Sequence, residues 1–331
     1  MGGDLQIDLI EMKKILRSYI EKGCLVNFNE PRDEPSTVIR LEKSKISRLV
    51  GAKSCTSHFF AVDCSTRTLK RANNWGIYLL RVTYATVKNR TVDWGFEESI
   101  RTVKGASYVR RKILQEIRLQ LESQMALNVL HKANTDDYVL LDGASYFGGE
   151  RKFNVMLYDE CEKRRIKLLA ISKQSPTLRD DKGRDFIAKT HAIAPQGCWV
   201  YFPVKRSDIH NHLYGDISIV KLCEDSPRAF RCDIMSYLSH AQCCDVPALL
   251  SPLMTISEDP RCLGYPVVLW LAHDFSGVSA AKLLQYHVQV EDTLKDAGLL
   301  DVLRQEELSC NFTDELHGAR YAFNMEWIDR V

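Results

Sequence analysis

The sequence predicts an α/β fold whose mixed central sheet is flanked by helices. Short apolar runs at 59–62 and 138–141 have the continuity of strands buried on both faces. A β-branched and aromatic stretch at 75–87, followed by 90–96, has the pattern of a hairpin. Between these strand signals lies a long segment, 108–130, with apolar residues at helical spacing. Strands alternating with helices in this way build a sheet with helical cover.

Taken in order, residues 5–22 predict an amphipathic helix, and the polar stretch NFNEPRDEPST after it predicts a loop. A strand is expected over 58–64, with Asp63 at its tip. The 75–87 strand should turn back into 90–96 across Lys88–Asn89. In 108–130, Ile113, Ile117, Leu121 and Met125 form one helical stripe. Strands are expected at 137–143 and 165–173, with helices at 152–163 and 181–189. Further strands fit 197–204, 216–223 and 229–234, and the chain beyond 236 reads as mostly helical. No Gly/Ser or Pro-rich linker and no repeat interrupts it. Residues 51–331 therefore read as one elaborated domain behind a helical N-terminal extension, 1–50.

The 45 basic and 43 acidic residues give a net charge of +2, too little for a protein that coats nucleic acid by charge alone. Residues 1–30 lack the continuous apolar core of a signal peptide. No run approaches the ~18 apolar residues of a membrane span. The expectation is a soluble, cytoplasmic protein whose 11 cysteines are reduced thiols. Cys223, Cys232, Cys243, Cys244 and Cys262 crowd one region, but they include no CxxC pair. Adjacent Cys243 and Cys244 suit a tetrahedral zinc site poorly, so a structural zinc module is an alternative only. The phosphate-binding glycine loops and the GxSxG elbow are absent, which argues against a nucleotide-binding P-loop or a serine hydrolase.

One event occurs twice. Asp63 follows FFAV and Asp142 follows YVLL, each a carboxylate ending a core strand. Singly, such an Asp caps a helix or starts a turn. Repeated on either side of a helix bearing Glu116 and Glu122, it points to the edge where open α/β sheets build their sites. Two carboxylates ~4 Å apart repel by roughly 4 kcal/mol at an effective dielectric of about 20. Hard divalent cations offset that repulsion, and they can activate water against a phosphodiester. On this reading, removing one carboxylate relieves repulsion in the metal-free chain.

The blocks FFAVDCS, EIRLQLE, DYVLLDGAS, LLAISK, DISIVKL with FRCDI, and GYPVVLWLAHDFSGVS stand in the order seen in NurA nucleases. The chain resembles that family over roughly 58–280, with a weaker continuation at ELHGARYAFN. The resemblance implies an RNase H-like core, a homodimer, and a Mn²⁺- or Mg²⁺-dependent nuclease. Such enzymes act 5′–3′ on single- and double-stranded DNA ends and cut single strands internally. They work with a hexameric HerA-type ATPase in DNA end resection and double-strand break repair. Asp63 and Asp142 match the two strand carboxylates, and Glu116 best matches the helix carboxylate, with Glu122 as its competitor. Tyr265 and His273 match the Tyr and His of the last block, His273 also as a metal ligand. Cys64 stands where the family usually has glycine. Lys173 and Arg231, near strand ends, are placed to grip DNA phosphates. The rival class is a catalytically silent scaffold of the same fold that binds DNA or an ATPase.

Overall fold

The computed structural model describes residues 37–51, 56–71, 75–143, 152–173, 175, 178–242, 244–298, 300–301 and 303–304. The helix expected at 5–22 and the block at 315–324 lie outside the described residues. In chain order the first elements are β1 (Thr37–Ile39), β2 (Ile46–Arg48), β3 (Phe59–Arg71), β4 (Trp75–Lys88), β5 (Thr91–Lys104) and α1 (Ser107–Val129). Next come β6 (Tyr138–Asp142), α2 (Lys152–Arg164), β7 (Lys167–Ser172), β8 (Leu178–Asp180), α3 (Phe186–Ile193) and β9 (Trp199–Lys205). The last are β10 (Gly215–Lys221), β11 (Phe230–Met235), α4 (Ser236–Ser239), α5 (Val246–Met254), α6 (Val267–Ser276) and α7 (Ala280–Asp296).

The described residues fall into two compact units that interleave along the chain. The first lies within Met1–Cys55, Asp142–Glu150 and Leu168–Val267, the second within Thr56–Leu141, Arg151–Lys167 and Val268–Val331. Because each unit is assembled from three segments, no single linker divides them, and the sequence carries no linker signal.

In the first unit, strands run β2-β9-β10-β11-β7, all antiparallel. β1 pairs separately with β8. The core gathers Phe186, Trp199, Tyr201, Ile217 and Ile219. The helix expected at 181–189 begins later, at Phe186, because Asp180 claims the preceding backbone. Its Oδ1 accepts from Lys182 N (2.9 Å) and Arg184 N (2.8 Å), closing a turn. Asp185 then caps α3 by accepting from Ala188 N at 2.7 Å.

In the second unit, β3 pairs β6 in parallel and β4 antiparallel, and β4 pairs β5 antiparallel, so the sheet is mixed as expected. Leu79 and Leu80 on β4 and Phe60 on β3 are buried. Each such side chain contributes about 1.5–3 kcal/mol relative to exposure. The hairpin turns at Asn89–Arg90, one residue beyond expectation, with φ of 49° and 65°. Two left-handed residues match the twist of a two-residue hairpin, and Asn accepts that conformation readily. Pairing runs from Lys88↔Thr91 to Trp75↔Lys104, far past the expected end at 96.

α1 packs on β3 and β4 through Met125, Ala126 and Val129. Ile113, assigned to that stripe, is 38% exposed, so it does not belong to the buried face. On α7, Leu283 and Val290 join Leu69, Ile77 and Leu79 in a core cluster. No single helix among the described residues is long and apolar enough to cross a membrane.

Candidate active site

Asp63 is not at a strand tip. β3 continues to Arg71 because antiparallel β4 supplies hydrogen bonds along its length, whereas parallel pairing with β6 stops at Val62↔Leu141. Asp63 and Asp142 are the residues that directly follow that last pair. The register thus does what the sequence expects, although the strand does not end there.

Around Asp63 the second unit builds a polar cluster. His273, on α6, places Nδ1 2.8 Å from Asp63 Oδ2, and Ser276 Oγ donates to the same oxygen at 3.3 Å. Ser276 follows His273 by three positions, so both face one side of α6. Ser65 Oγ donates to the Ser276 carbonyl, tying the end of α6 to β3. From α1, Arg118 Nη2 lies 3.8 Å from Asp63 Oδ1 and 3.8 Å from Glu122 Oε1. Glu122 Oε1 also accepts from Cys64 N at 3.1 Å. Burial pushes the Asp63 carboxyl upward, but the hydrogen bond and charge of His273, then Arg118 and the Cys64 N–H, hold it below its ordinary value. Burial, aided by Glu122, pushes the Cys64 thiol up to about 12, so it stays protonated and inert.

Asp142 has its own partners in the first unit. Lys173 Nζ sits 2.6 Å from Oδ2, and Tyr265 Oη donates to Oδ1 at 3.1 Å. Lys173 also lies over the Tyr265 ring, 5.7 Å from its centroid. Gly143 follows at φ +138°, a backbone angle that a side chain would strain. Its N–H donates to the Ile171 carbonyl at 3.0 Å and aligns the end of β6.

Two sequence candidates stand elsewhere. Glu116 is exposed on α1, while Glu122, six residues on, is the carboxylate that accepts from Cys64 N, next to Asp63 in the chain. Arg231 is buried, and its Nε and Nη2 grip Asp233 Oδ1 and Oδ2, each at 2.7 Å. Nη1 donates to Ser175 Oγ at 3.2 Å. That guanidinium is committed to the core rather than offered to phosphates. The signal was in FRCDI: residues two apart on a strand share a face, so Arg231 meets Asp233. Sequence reasoning also missed Arg118 and Ser276, although Arg118 precedes Glu122 by one helical turn.

Asp63 and Glu122 in the second unit, and Asp142 in the first, each offer carboxylate oxygens, the donor type that hard divalent cations take. As the side chains stand, no group of three or more His, Cys, Asp and Glu among the described residues is close enough to hold an ion. His273, Arg118 and Lys173 are the groups set against the two aspartates. The same finding covers the described members of the Cys223–Cys262 region, where Cys223, Cys232, Cys244 and Cys262 are free thiols.

No family model matches the chain, and no curated protein matches it. Its fold is similar to that of the NurA nuclease from Sulfolobus solfataricus, with a TM-score of 0.62 at 15% identity over 90% of this chain and 98% of that one. A NurA crystallised with manganese has a TM-score of 0.54 at 10% identity, covering 89% of this chain and 98% of its own. The chain therefore has the mixed α/β, RNase H-like fold of the NurA structures.

Proposed function

We propose that this chain is a metal-dependent DNA nuclease. The observation that carries the proposal is the parallel register of β3 and β6, whose last pair, Val62↔Leu141, is followed by Asp63 and Asp142. In a fold similar to NurA, those carboxylates are the natural metal ligands, with Glu122 rather than Glu116 as the helix carboxylate. The manganese in a NurA structure supports Mn²⁺, with Mg²⁺ the hard-ion substitute. The ion, when bound, supplies Lewis acidity and lowers the pKa of water.

The chain's own residues then hold the carboxylates and handle the substrate. His273 and Ser276 fix one Asp63 oxygen, and Tyr265 and Lys173 fix the two Asp142 oxygens. With Nδ1 committed to Asp63, His273 keeps Nε2 for a phosphate oxygen or a proton transfer, and its side chain is 60% exposed. Lys173 can exchange Asp142 for a DNA phosphate when a cation takes over the carboxylate.

The finer attributes belong to the same proposal and rest on the resemblance to NurA. They are 5′–3′ exonuclease and single-strand endonuclease action, homodimerisation, a HerA-type ATPase partner and a cytoplasmic role in end resection. The test is incubation of purified protein with end-labelled single- and double-stranded DNA in Mn²⁺, Mg²⁺ or EDTA. Metal-dependent shortening from the 5′ end is expected. Intact DNA in both metals would refute the activity.

A further inference from the structure

The first unit contains a cavity of about 540 Å³ whose walls include Lys173, Asp185, Ala188, His191, Arg228 and Phe230. Cavities that take single small ligands run from ~300 to ~1,000 Å³, so this one suits a mononucleotide unit and is too small for a duplex. Lys173 is the residue paired with Asp142, so the cavity opens beside a carboxylate of the proposed site. Its chemistry is divided. Phe230 and Ala188 give apolar wall, and the Phe230 ring packs on Tyr265 with centroids 5.2 Å apart. Lys173 and exposed Arg228 give positive charge. Among the described residues, Asp185 is the one acidic wall residue, and its Oδ1 already caps α3.

His191 adds the most specific feature. Its Nε2 is buried and has no hydrogen-bond partner among the described residues, an arrangement that costs energy unless a ligand completes it. Burial, with Lys221 nearby, keeps the imidazole below its ordinary pKa. The ring is thus neutral near pH 7 and suited to a hydroxyl or a base edge.

We propose that this cavity binds one nucleotide of a single DNA strand, its phosphate held by Arg228 and its sugar or base set against Phe230 and His191. The proposal deepens the nuclease reading and rests on it for the identity of the polymer. A strand seated here would run beside Lys173, which can take up a backbone phosphate once a cation occupies Asp142.

The experiment is fluorescence anisotropy with labelled oligothymidylate in EDTA, using the full chain as wild type, Arg228→Ala, Arg228→Lys and Ala188→Phe. Arg228 and Ala188 are both exposed, and urea midpoints confirm that the variants fold. Loss of one charged phosphate contact should weaken binding about tenfold and reduce the salt slope by about 1. Arg228→Lys should restore most of the affinity, and Ala188→Phe, which fills the cavity, should weaken binding while leaving the salt slope unchanged. Wild-type affinity in both Arg228→Ala and Ala188→Phe, or no strand binding by the wild type at micromolar concentration, would overturn the subsite. Because the assay needs no metal and no cleavage, binding that the variants lose would uphold the subsite even if nuclease activity were absent. Nuclease activity with unaffected variants would sink the subsite alone.

Discussion

His273 Nδ1 lies 2.8 Å from Asp63 Oδ2, and this pairing reverses an expectation drawn from charge alone. Carboxylate repulsion suggests that the metal-free chain gains from losing Asp63. Instead, His273, Arg118 and the Cys64 N–H outweigh burial and hold the Asp63 carboxyl below its ordinary value of 3.8. A carboxyl depressed on folding contributes stability that is fully present above its unfolded pKa and lost as pH falls through the lower folded one. Asp63→Asn should therefore cost about 1–3 kcal/mol at neutral pH, the scale of a hydrogen bond to a charged group. The gap should close below about pH 4. Urea denaturation of both proteins from acid to neutral pH measures it, and a gap independent of pH would contradict the assignment.

Cleavage should depend on the carboxylates unequally. Asp63→Ala and Asp142→Ala are expected to abolish metal-dependent nuclease activity with the fold retained by circular dichroism. Glu122→Gln should reduce the rate by at least about tenfold, the lower end of what a lost electrostatic contact costs a transition state. Glu116→Gln, on the exposed side of α1, should leave it within about twofold. Normal cleavage by the Glu122 variant, with loss in the Glu116 variant, would restore the sequence-based choice.

Arg231 should behave as a structural residue. Its bidentate bond to Asp233 is buried, and removing one partner leaves an uncompensated charge in the core. Arg231→Ala is expected to destabilise by about 3–5 kcal/mol. A variant with unchanged urea midpoint and weakened DNA binding would return Arg231 to the DNA-contacting set.

The proposed dimer has a definite place to be tested. On α7, Leu284 is 64% exposed and Val288 51%, one turn apart, while Leu283 and Val290 face the core. The apolar side chains of α7 are thus split between core and surface. Light scattering should report a dimer for the wild type and a shift towards monomer for Leu284→Glu/Val288→Glu. A monomeric wild type with full nuclease activity would remove the dimer from the mechanism.

Much of this protein is legible in its sequence because strand and helix follow local periodicity. FFAV, YVLL and LLAIS lie in strands, 108–130 is essentially α1, and the residues directly after FFAV and YVLL are the aspartates of the proposed site. The sequence could not say where β3 ends, because its length is set by β4, and β4 runs on past the point where β6 stops. By resemblance it favours Glu116 over Glu122, but both flank the apolar stripe, and only the packing of α1 decides which reaches Cys64 N. The positive charge of Arg231 alone does not reveal its use; the i,i+2 spacing to Asp233 allows the pairing, and burial of β11 decides that the guanidinium takes it. Local residue order determines the elements. Pairing between distant segments determines which side chains meet, and therefore which charges remain available for chemistry.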